Sequence, residues 1–512
     1  MNSIRQKYLL ISLVFVFSLF SSETEHAFFK KNSDGVFYPA GFLKGVSYSC
    51  YQNGGHNYWK SLGYKPSSNW TWFENEFQSR FVIDREREQG ASFRFCKSSP
   101  IDRGEKVGIT SDGWRHMFDD IALIKDLNCN ALCFDIPWTD VNPEKNVWNE
   151  EAFQLFDTYI DALLENNIEP VLTLYHWVHP RWFHDLGAWE KEENISYFVR
   201  YSQEVFKRYG HKVKYWCTVN EPTVVSVCGY VLGTHAPGKK DYASLLRPFV
   251  KDGLLSPFSH NYDLAAVVLG NLFKAHIEAY EKIKAMPHGN EALVSLIHQA
   301  AFFRPQVKTG VGGFFLNPLS KELAEYFNKI FAHKVFMDFF RTGCFTYDLP
   351  GGKSITFVDE RAVKSLDFIG LDFYADMMFG PAPACERGEQ MTDMIMWPIR
   401  PQAMYDAIKE MSSLQVPIII TENGICDAQD DRREKWIVGY SNAIAQAIAD
   451  GYDVRGYCYW SLLDNFEWNM GHNKKFGLYA VDTLSDDPTS KTRTLRKGSQ
   501  AYRDYVRVAG LS

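Results

Sequence analysis

The sequence lacks the cysteine patterns that bind metals. Its 10 cysteines fall at irregular spacings, with no Cys-x-x-Cys pair and no cysteine–histidine set of zinc-binding spacing. The sequence therefore predicts no metal site. In a large domain such cysteines are explained as well by burial of a small apolar side chain as by disulfides.

An excess of positive charge is also missing. Lys and Arg total 55 against 62 Asp and Glu, a net charge of -7, so the chain shows no sign of a nucleic-acid partner. No repeat, linker or low-complexity stretch divides the chain. Hydrophobic residues make up 46% of it, which is enough to bury a large core. A length of 512 residues suits one barrel with long loops.

Long hydrophobic runs are absent except at the amino terminus, where residues 8–20 are apolar between a basic start and two serines. This order is typical of a secretory signal peptide and is short for a transmembrane helix. We predict that residues 1–22 direct secretion or export and that residues 23–512 form one domain that does not insert stably into a membrane. An uncleaved amino-terminal membrane anchor is the alternative.

From about residue 112 onward, helical patterns alternate with short, continuously apolar strands. With one earlier strand at 42–47, strands are predicted at 131–136, 170–175, 213–217, 292–297, 367–374, 416–421 and 454–461. Helices are predicted at 114–127, 150–166, 195–209, 265–285, 321–339, 401–411, 432–449 and 499–508, and residues 56–113 are predicted to form a long loop. This alternation favours an α/β fold, a single (β/α)8 TIM barrel with long active-site loops. A doubly wound open sheet is the alternative.

Two of the predicted strands run into a glutamate. One leads into the segment 218–222 (TVNEP), and the other leads into 422–424 (ENG). Barrel active sites lie at the carboxyl ends of the strands, so Glu221 and Glu422 are a candidate carboxylate pair. Each segment taken alone is explained equally well as a helix start or a turn.

The chain resembles family 1 of the glycoside hydrolases, the retaining β-glucosidases and β-galactosidases, from about residue 41 to residue 502. Five motifs in the expected order carry the resemblance: the two glutamate segments, 173–177 (TLYHW), 367–370 (DFIG), and 460–468 (WSLLDNFEW) followed by 476–478 (FGL). The resemblance implies a TIM barrel, no cofactor, and a small β-glycoside or oligosaccharide as the substrate.

The resemblance also implies the role of each site residue. Retaining cleavage uses two carboxyl groups about 5–5.5 Å apart, and by family position Glu221 is the acid/base and Glu422 the nucleophile. The side chains expected to bind the substrate are Gln52, His176, Trp177, Asn220, Tyr374, Trp460, Glu467, Trp468 and Phe476. Tyr374 corresponds to the tyrosine that donates a hydrogen bond to the nucleophile. For His176, Trp177 and Trp460, ordinary core packing is the alternative.

Three positions depart from the family pattern. Cys133 replaces an arginine whose charge keeps the nucleophile ionised, so the pKa of Glu422 is expected to rise unless a cation from the long loop substitutes. Asp372 replaces an asparagine and adds negative charge in the same place. Gly54 replaces a glutamate and puts the hydrogen bonds around Gln52 in question.

These observations predict a retaining β-glycosidase that hydrolyses β-linked glucosides, galactosides or related small saccharides through a covalent glycosyl-enzyme. The substrate is expected to be unphosphorylated, because Glu467 would repel a phosphate group. A catalytically weak sugar-binding relative is one alternative, for which Cys133 is the argument. A transglycosylase is another, and it would share every residue named above.

Overall fold

The computed structural model describes residues 38–55, 67–77, 82–84, 92–94, 99–239, 262–305, 311–348, 354–379, 389–394 and 396–508. The predicted signal segment, residues 1–22, lies outside these residues, as does part of the predicted loop at 56–113. Within the described part, no helix combines the length and the apolar character that crossing a membrane requires.

Eight parallel strands close into a barrel. They are β1 Leu43–Ser47, β2 Ala131–Asp135, β3 Glu169–Thr173, β4 Tyr215–Asn220, β5 Leu293–Gln299, β6 Ile369–Asp372, β7 Ile418–Asn423 and β8 Val454–Trp460. Each strand pairs with its neighbours in sequence, and β1 pairs with both β2 and β8. The predicted TIM barrel is therefore confirmed, and the open sheet is wrong because an open sheet would leave two unpaired edges.

Helices surround the barrel. They are α1 Gly113–Asp126, α2 Glu150–Glu165, α3 Ile195–Tyr209, α4 Pro222–Tyr230, α5 Tyr262–Lys284, α6 Val311–Ile330, α7 His333–Thr342, α8 Pro401–Met411, α9 Arg433–Ala449 and α10 Gln500–Val508. Short helices lie at Cys50–Gly54, Asn69–Asn75, Trp138–Val141 and Arg181–Asp185. Four small two-stranded sheets pair Val82–Asp84 with Ser92–Arg94, Phe302–Pro305 with Asp376–Phe379, Cys344–Tyr347 with Ile355–Val358, and Tyr479–Ala480 with Thr494–Leu495.

Two predicted elements differ from the structure. The single helix predicted at 321–339 is two helices, because Ala332 adopts a left-handed backbone conformation (φ 56°) between α6 and α7. The region predicted as a long loop contains the helix Asn69–Asn75. That helix begins with a capping box, in which the Ser68 side chain accepts from the Thr71 N–H and the Thr71 hydroxyl accepts from the Ser68 N–H.

The apolar residues form two main layers. The larger layer fills the space between the barrel and its helices. The second lies inside the barrel and consists of Leu43, Ala131, Cys133, Val171, Cys217, Ile297, Phe368, Ile419 and Cys458. Packing there is close: a Cβ atom on Gly45 of β1 would lie 2.7 Å from the Cys458 sulfur. Side chains therefore fill the barrel interior, and ligands reach the strands from their carboxyl ends.

Candidate active site

Glu221 lies where β4 ends and α4 begins. Its backbone is left-handed (φ 44°), and its N–H donates to the carbonyl of Ile297 on β5 at 2.9 Å. Pro222 occupies the first turn of α4, where its missing N–H costs nothing. A helix does begin here, but Asn220 does not cap it, because Asn220 is the last residue of β4 and Glu221 is the N-cap. The same turn buries the Glu221 side chain at the barrel mouth. A left-handed non-glycine residue is uncommon and is often found at functional sites.

Glu422 lies on β7, and the strand continues through Asn423. The turn interpretation of Asn423 is wrong, because its buried side chain donates to the Phe373 carbonyl at 2.6 Å. The neighbouring Gly424 is required by close packing, since a Cβ there would lie 1.7 Å from the Trp460 carbonyl oxygen. Glu422 is 7% exposed and accepts a hydrogen bond from the Tyr374 hydroxyl at 2.8 Å.

The barrel brings the two glutamates together with a third acid. Carboxylate oxygens of Glu221, Glu422 and Asp372 of β6 all lie within 4.8 Å of one another. Among the described residues, no other group of three acidic, histidine or cysteine side chains is this compact. The separation of the glutamates suits a retaining glycosidase, in which about 5–5.5 Å divides the two carboxyl groups.

Burial dominates the electrostatics of the pair. It raises the pKa of Glu422 to about 8, the Tyr374 hydrogen bond opposes the shift, and the charges of Glu467 and Asp135 add to it. Burial, followed by the charges of Glu422 and Glu467, raises the pKa of Glu221 well above its usual range. A raised pKa keeps Glu221 protonated at neutral pH, as a general acid must be.

Polar side chains beside the pair leave acceptors for a ligand. Gln52 donates from Nε2 to the Phe466 carbonyl at 3.0 Å and to Glu467 at 3.5 Å, and its buried Oε1 has no donor among the described residues. The Asn220 amide contacts His176 at 3.3 Å, and no described residue donates to its Oδ1. Burial lowers the pKa of His176 to about 3, so the ring is neutral.

Aromatic rings complete the cavity of about 190 Å³ around the glutamates. His176 stacks on Trp460 and on Trp468, with each ring pair 5.9 Å apart. Trp177 lies 4.7 Å from Trp468. Of the eleven predicted site residues, nine line the cavity: His176, Trp177, Glu221, Tyr374, Glu422, Trp460, Glu467, Trp468 and Phe476. The other two, Gln52 and Asn220, contact the lining residues Glu467 and His176.

Two departures from the family pattern have a structural explanation. Gly54 makes room for Trp114, because a Cβ there would lie 2.5 Å from the indole ring. Cys133 lies inside the barrel, where its sulfur is 3.1 Å from that of Cys458. As the sequence predicts, the pKa of Glu422 is high. Arg103 and Lys106 of the predicted long loop do not relieve it, because Arg103 donates to Asn473 and Lys106 to the Glu74 carbonyl.

Several lining residues were not predicted from the sequence. They are Val224, Cys228, His235, Gln299, Phe331, Met377, Met394, Trp397, Asn469 and Met470. Trp397, for example, stacks on Tyr374 at 5.0 Å although it lies far from any predicted strand end. Val224 was detectable in principle, because it follows Glu221 by one helical turn of α4 and shares its face.

Known proteins provide an independent comparison. The sequence model for glycosyl hydrolase family 1 matches residues 36–511. β-Glucosidase A of Acetivibrio thermocellus is 30% identical over 80% of this chain and 89% of its own length. The peroxisomal β-glucosidase 26 of Arabidopsis thaliana is 28% identical over 87% of this chain and 81% of its own.

Solved structures show the same fold. The β-glucosidase of Thermotoga maritima in complex with deoxynojirimycin superimposes with a TM-score of 0.72 at 24% identity, covering 94% of this chain and 100% of the other. The family match spans nearly the whole chain, and the barrel and the two glutamates agree with it. The chain therefore belongs to glycosyl hydrolase family 1 and is a β-glucosidase-like glycoside hydrolase.

Proposed function

We propose that the protein is a retaining β-glycosidase in which Glu422 is the nucleophile and Glu221 the acid/base. The observation that carries this proposal is the buried pair of strand-end glutamates, with carboxylate oxygens within 4.8 Å across the barrel mouth. An inverting enzyme needs a wider gap of about 6.5–9.5 Å to hold a water between its carboxyl groups.

The proposed reaction has two steps. In the first, Glu422 attacks the anomeric carbon while Glu221 protonates the glycosidic oxygen, so the C–O bond to the leaving group breaks as the ester forms. In the second, Glu221 removes a proton from water, which attacks the same carbon and releases Glu422. The Tyr374 hydrogen bond favours the ionised form of Glu422, which is the form that attacks.

We propose an unphosphorylated hexoside, a β-glucoside, β-galactoside or related small saccharide, as the substrate. Glu467 lines the sugar-binding wall, where its carboxyl group contacts Gln52 and would repel a phosphate. Apolar side chains, among them Val224, Phe331 and Met377, also line the cavity. This surface favours an apolar leaving group over a second, hydrated sugar.

Secretion or export through residues 1–22 remains our proposal for localisation, because the basic, apolar and serine segments follow the order of a signal peptide. The weak sugar-binding relative and the transglycosylase are outcomes that kinetic assays separate. A protein that binds aryl β-glycosides without turnover supports the first. Transfer of the glycosyl group to added sugar in preference to water supports the second.

The test of the nucleophile is covalent labelling. A 2-fluoro glycoside with a good leaving group should label the peptide that contains Glu422, because the fluorine slows the second half-reaction and the intermediate accumulates. Peptide mass spectrometry locates the label, and Glu422→Gln is the control that should not be labelled. A label on another residue would contradict the assignment.

The test of the acid/base is a comparison of leaving groups. Glu221→Ala should lower kcat/KM by about 10²–10⁴ for poor leaving groups and far less for dinitrophenyl glycosides, which need no protonation. Azide should restore part of the lost turnover and yield the β-glycosyl azide. Equal losses on both substrates without azide rescue would argue against this role for Glu221.

A further inference from the structure

Asp372 lies at the end of β6, beside the two catalytic glutamates. Its side chain is fully buried, and its Oδ1 accepts a hydrogen bond from the Thr421 hydroxyl at 2.7 Å. Its Oδ2 receives no N–H or O–H from any described residue. One carboxylate oxygen of Asp372 belongs to the cluster in which the three carboxyl groups lie within 4.8 Å of one another.

Among the described residues, the neighbours of Asp372 provide no compensating charge. Glu422 and Thr421 face it from β7, Glu221 and Cys217 from β4, Cys133 from β2, and Tyr374 from the segment that follows its own strand. Gln299 pairs with it from β5. All of these groups are neutral or acidic. Three carboxylates this close, buried and without a cation, would repel one another strongly, so the cluster must hold protons.

The contact between Asp372 and Glu221 requires a proton on one of these two carboxyl groups. A carboxylate oxygen of Asp372 lies within 4.8 Å of one of Glu221, and hydrogen bonding between the two side chains raises the pKa of Asp372 and lowers that of Glu221. Two ionised carboxylates cannot form such a bond, because both are acceptors only. If Glu221 donated its proton to Asp372, the general acid would point away from the substrate. If Asp372 donates, the proton of Glu221 stays available to the leaving group.

We propose that Asp372 is a neutral carboxylic acid at neutral pH and that its Oδ2–H donates to Glu221, thereby orienting the acid/base. With Oδ1 accepting from Thr421 and Oδ2 donating, Asp372 presents the same pattern as an asparagine amide. The cluster then carries at most one negative charge, on Glu422. Burial and the charges of Glu422 and Glu221 raise the pKa of Asp372, in agreement with this state. Asp372 is a positioning residue, and its role depends on the function proposed for Glu221.

Infrared spectroscopy tests the protonation state without turnover. The difference spectrum between the wild type and Asp372→Asn at pH 7 should show one carboxylic-acid C=O band in the wild type that is absent from the variant. Loss of carboxylate bands instead would overturn the proposal. Asp372→Ala gives a second comparison if the first variant does not fold. Because this readout needs no activity, it separates failure of this inference from failure of the proposed function.

The pH profile of kcat/KM provides a kinetic test. Asp372→Asn exchanges one neutral group for another, so the acidic limb, which reports ionisation of Glu422, should stay in place. If Asp372 were charged within 4.8 Å of Glu422, its removal would move that limb to lower pH by roughly 2 units at an effective dielectric of about 20. A downward shift of that size would overturn the proposal.

The leaving-group dependence tests the positioning role. Asp372→Asn keeps a donor toward Glu221 and should retain kcat/KM within about threefold. Asp372→Ala has no donor and should lose about tenfold on poor leaving groups, with little loss on dinitrophenyl glycosides. Equal losses on both substrate classes, or an Asn variant as impaired as the Ala variant, would show that Asp372 has only a structural role.

Discussion

At the residue scale, the ionisation of Glu422 depends on a single described hydrogen bond. Tyr374 donates to it at 2.8 Å, while burial and the charges of Glu467 and Asp135 act in the opposite direction. The family arginine that would support the ionised form is replaced by Cys133, whose sulfur contacts Cys458. The Tyr374 hydroxyl therefore carries more of the electrostatic support of the nucleophile than it would beside an arginine.

Tyr374→Phe should displace the acidic limb of kcat/KM to higher pH. A hydrogen bond to a charged group is worth about 1.5–3 kcal/mol, so the expected shift is about 1–2 pH units. Tyr440→Phe is a matched control, because that hydroxyl donates to the Tyr374 carbonyl at 3.3 Å and does not touch Glu422. An unchanged limb in Tyr374→Phe would mean that Glu422 does not need this donor.

At the scale of elements, one buried cation joins the loops that follow β7 and β8. Arg433, at the start of α9, is fully buried and donates to the carbonyls of Asp427 at 2.8 Å and Phe476 at 3.0 Å. It also donates to the Asp430 carboxylate at 2.8 Å. Since Phe476 lines the cavity, this guanidinium links the outer helix to the substrate-binding wall.

Arg433→Met should destabilise the protein by about 3–5 kcal/mol, because it leaves a half-buried carboxylate and several carbonyls without this donor. Equilibrium denaturation measures the change. Arg455→Met is the control: that side chain is 56% exposed and pairs with Asp453, so its loss should cost less than about 1 kcal/mol. Similar losses in the two variants would show that Arg433 does not tie the loops together.

At the scale of the whole molecule, burial of many acids makes stability depend on pH. Burial raises the pKa of Glu422 to about 8 and that of Glu467, Asp135 and Glu74 each to about 7. An acid with a raised folded-state pKa binds more protons in the native state, so stability falls as pH rises from about 4 toward the folded pKa. The buried histidines act oppositely, but only below about pH 6.5, where the unfolded imidazole takes up protons.

Between pH 6.5 and 8, therefore, only the acids contribute, and Tm should fall as pH rises through this range. Differential scanning calorimetry in buffers of equal ionic strength measures the slope. Glu467→Gln should make the slope shallower, because its neutral amide does not titrate. Glu165→Gln, at an exposed position on α2, should leave it unchanged. A Tm that rises from pH 6.5 to 8 would contradict the raised values.

The strands and helices were predictable from the amino-acid sequence, although the pattern alone left an open sheet as the alternative to the barrel. Apolar strands spaced by amphipathic helices have few ways to bury both faces of a parallel sheet, so all eight strands and most helix boundaries followed from local pattern. Glu221 and Glu422 were also predictable from the sequence, because each lies at the end of such a strand. A break such as that at Ala332 left no signal, since the apolar periodicity continues across it.

Several contacts around the two glutamates could be known from the tertiary structure alone. The contact of Asp372 with Glu221, the place of Cys133 beside Cys458, and the stacking of Trp397 on Tyr374 each join segments far apart in the chain. Periodicity reports which face of an element is buried, and it carries no information about which distant side chain lies opposite. Barrel closure sets those pairs, and with them the charge of the site.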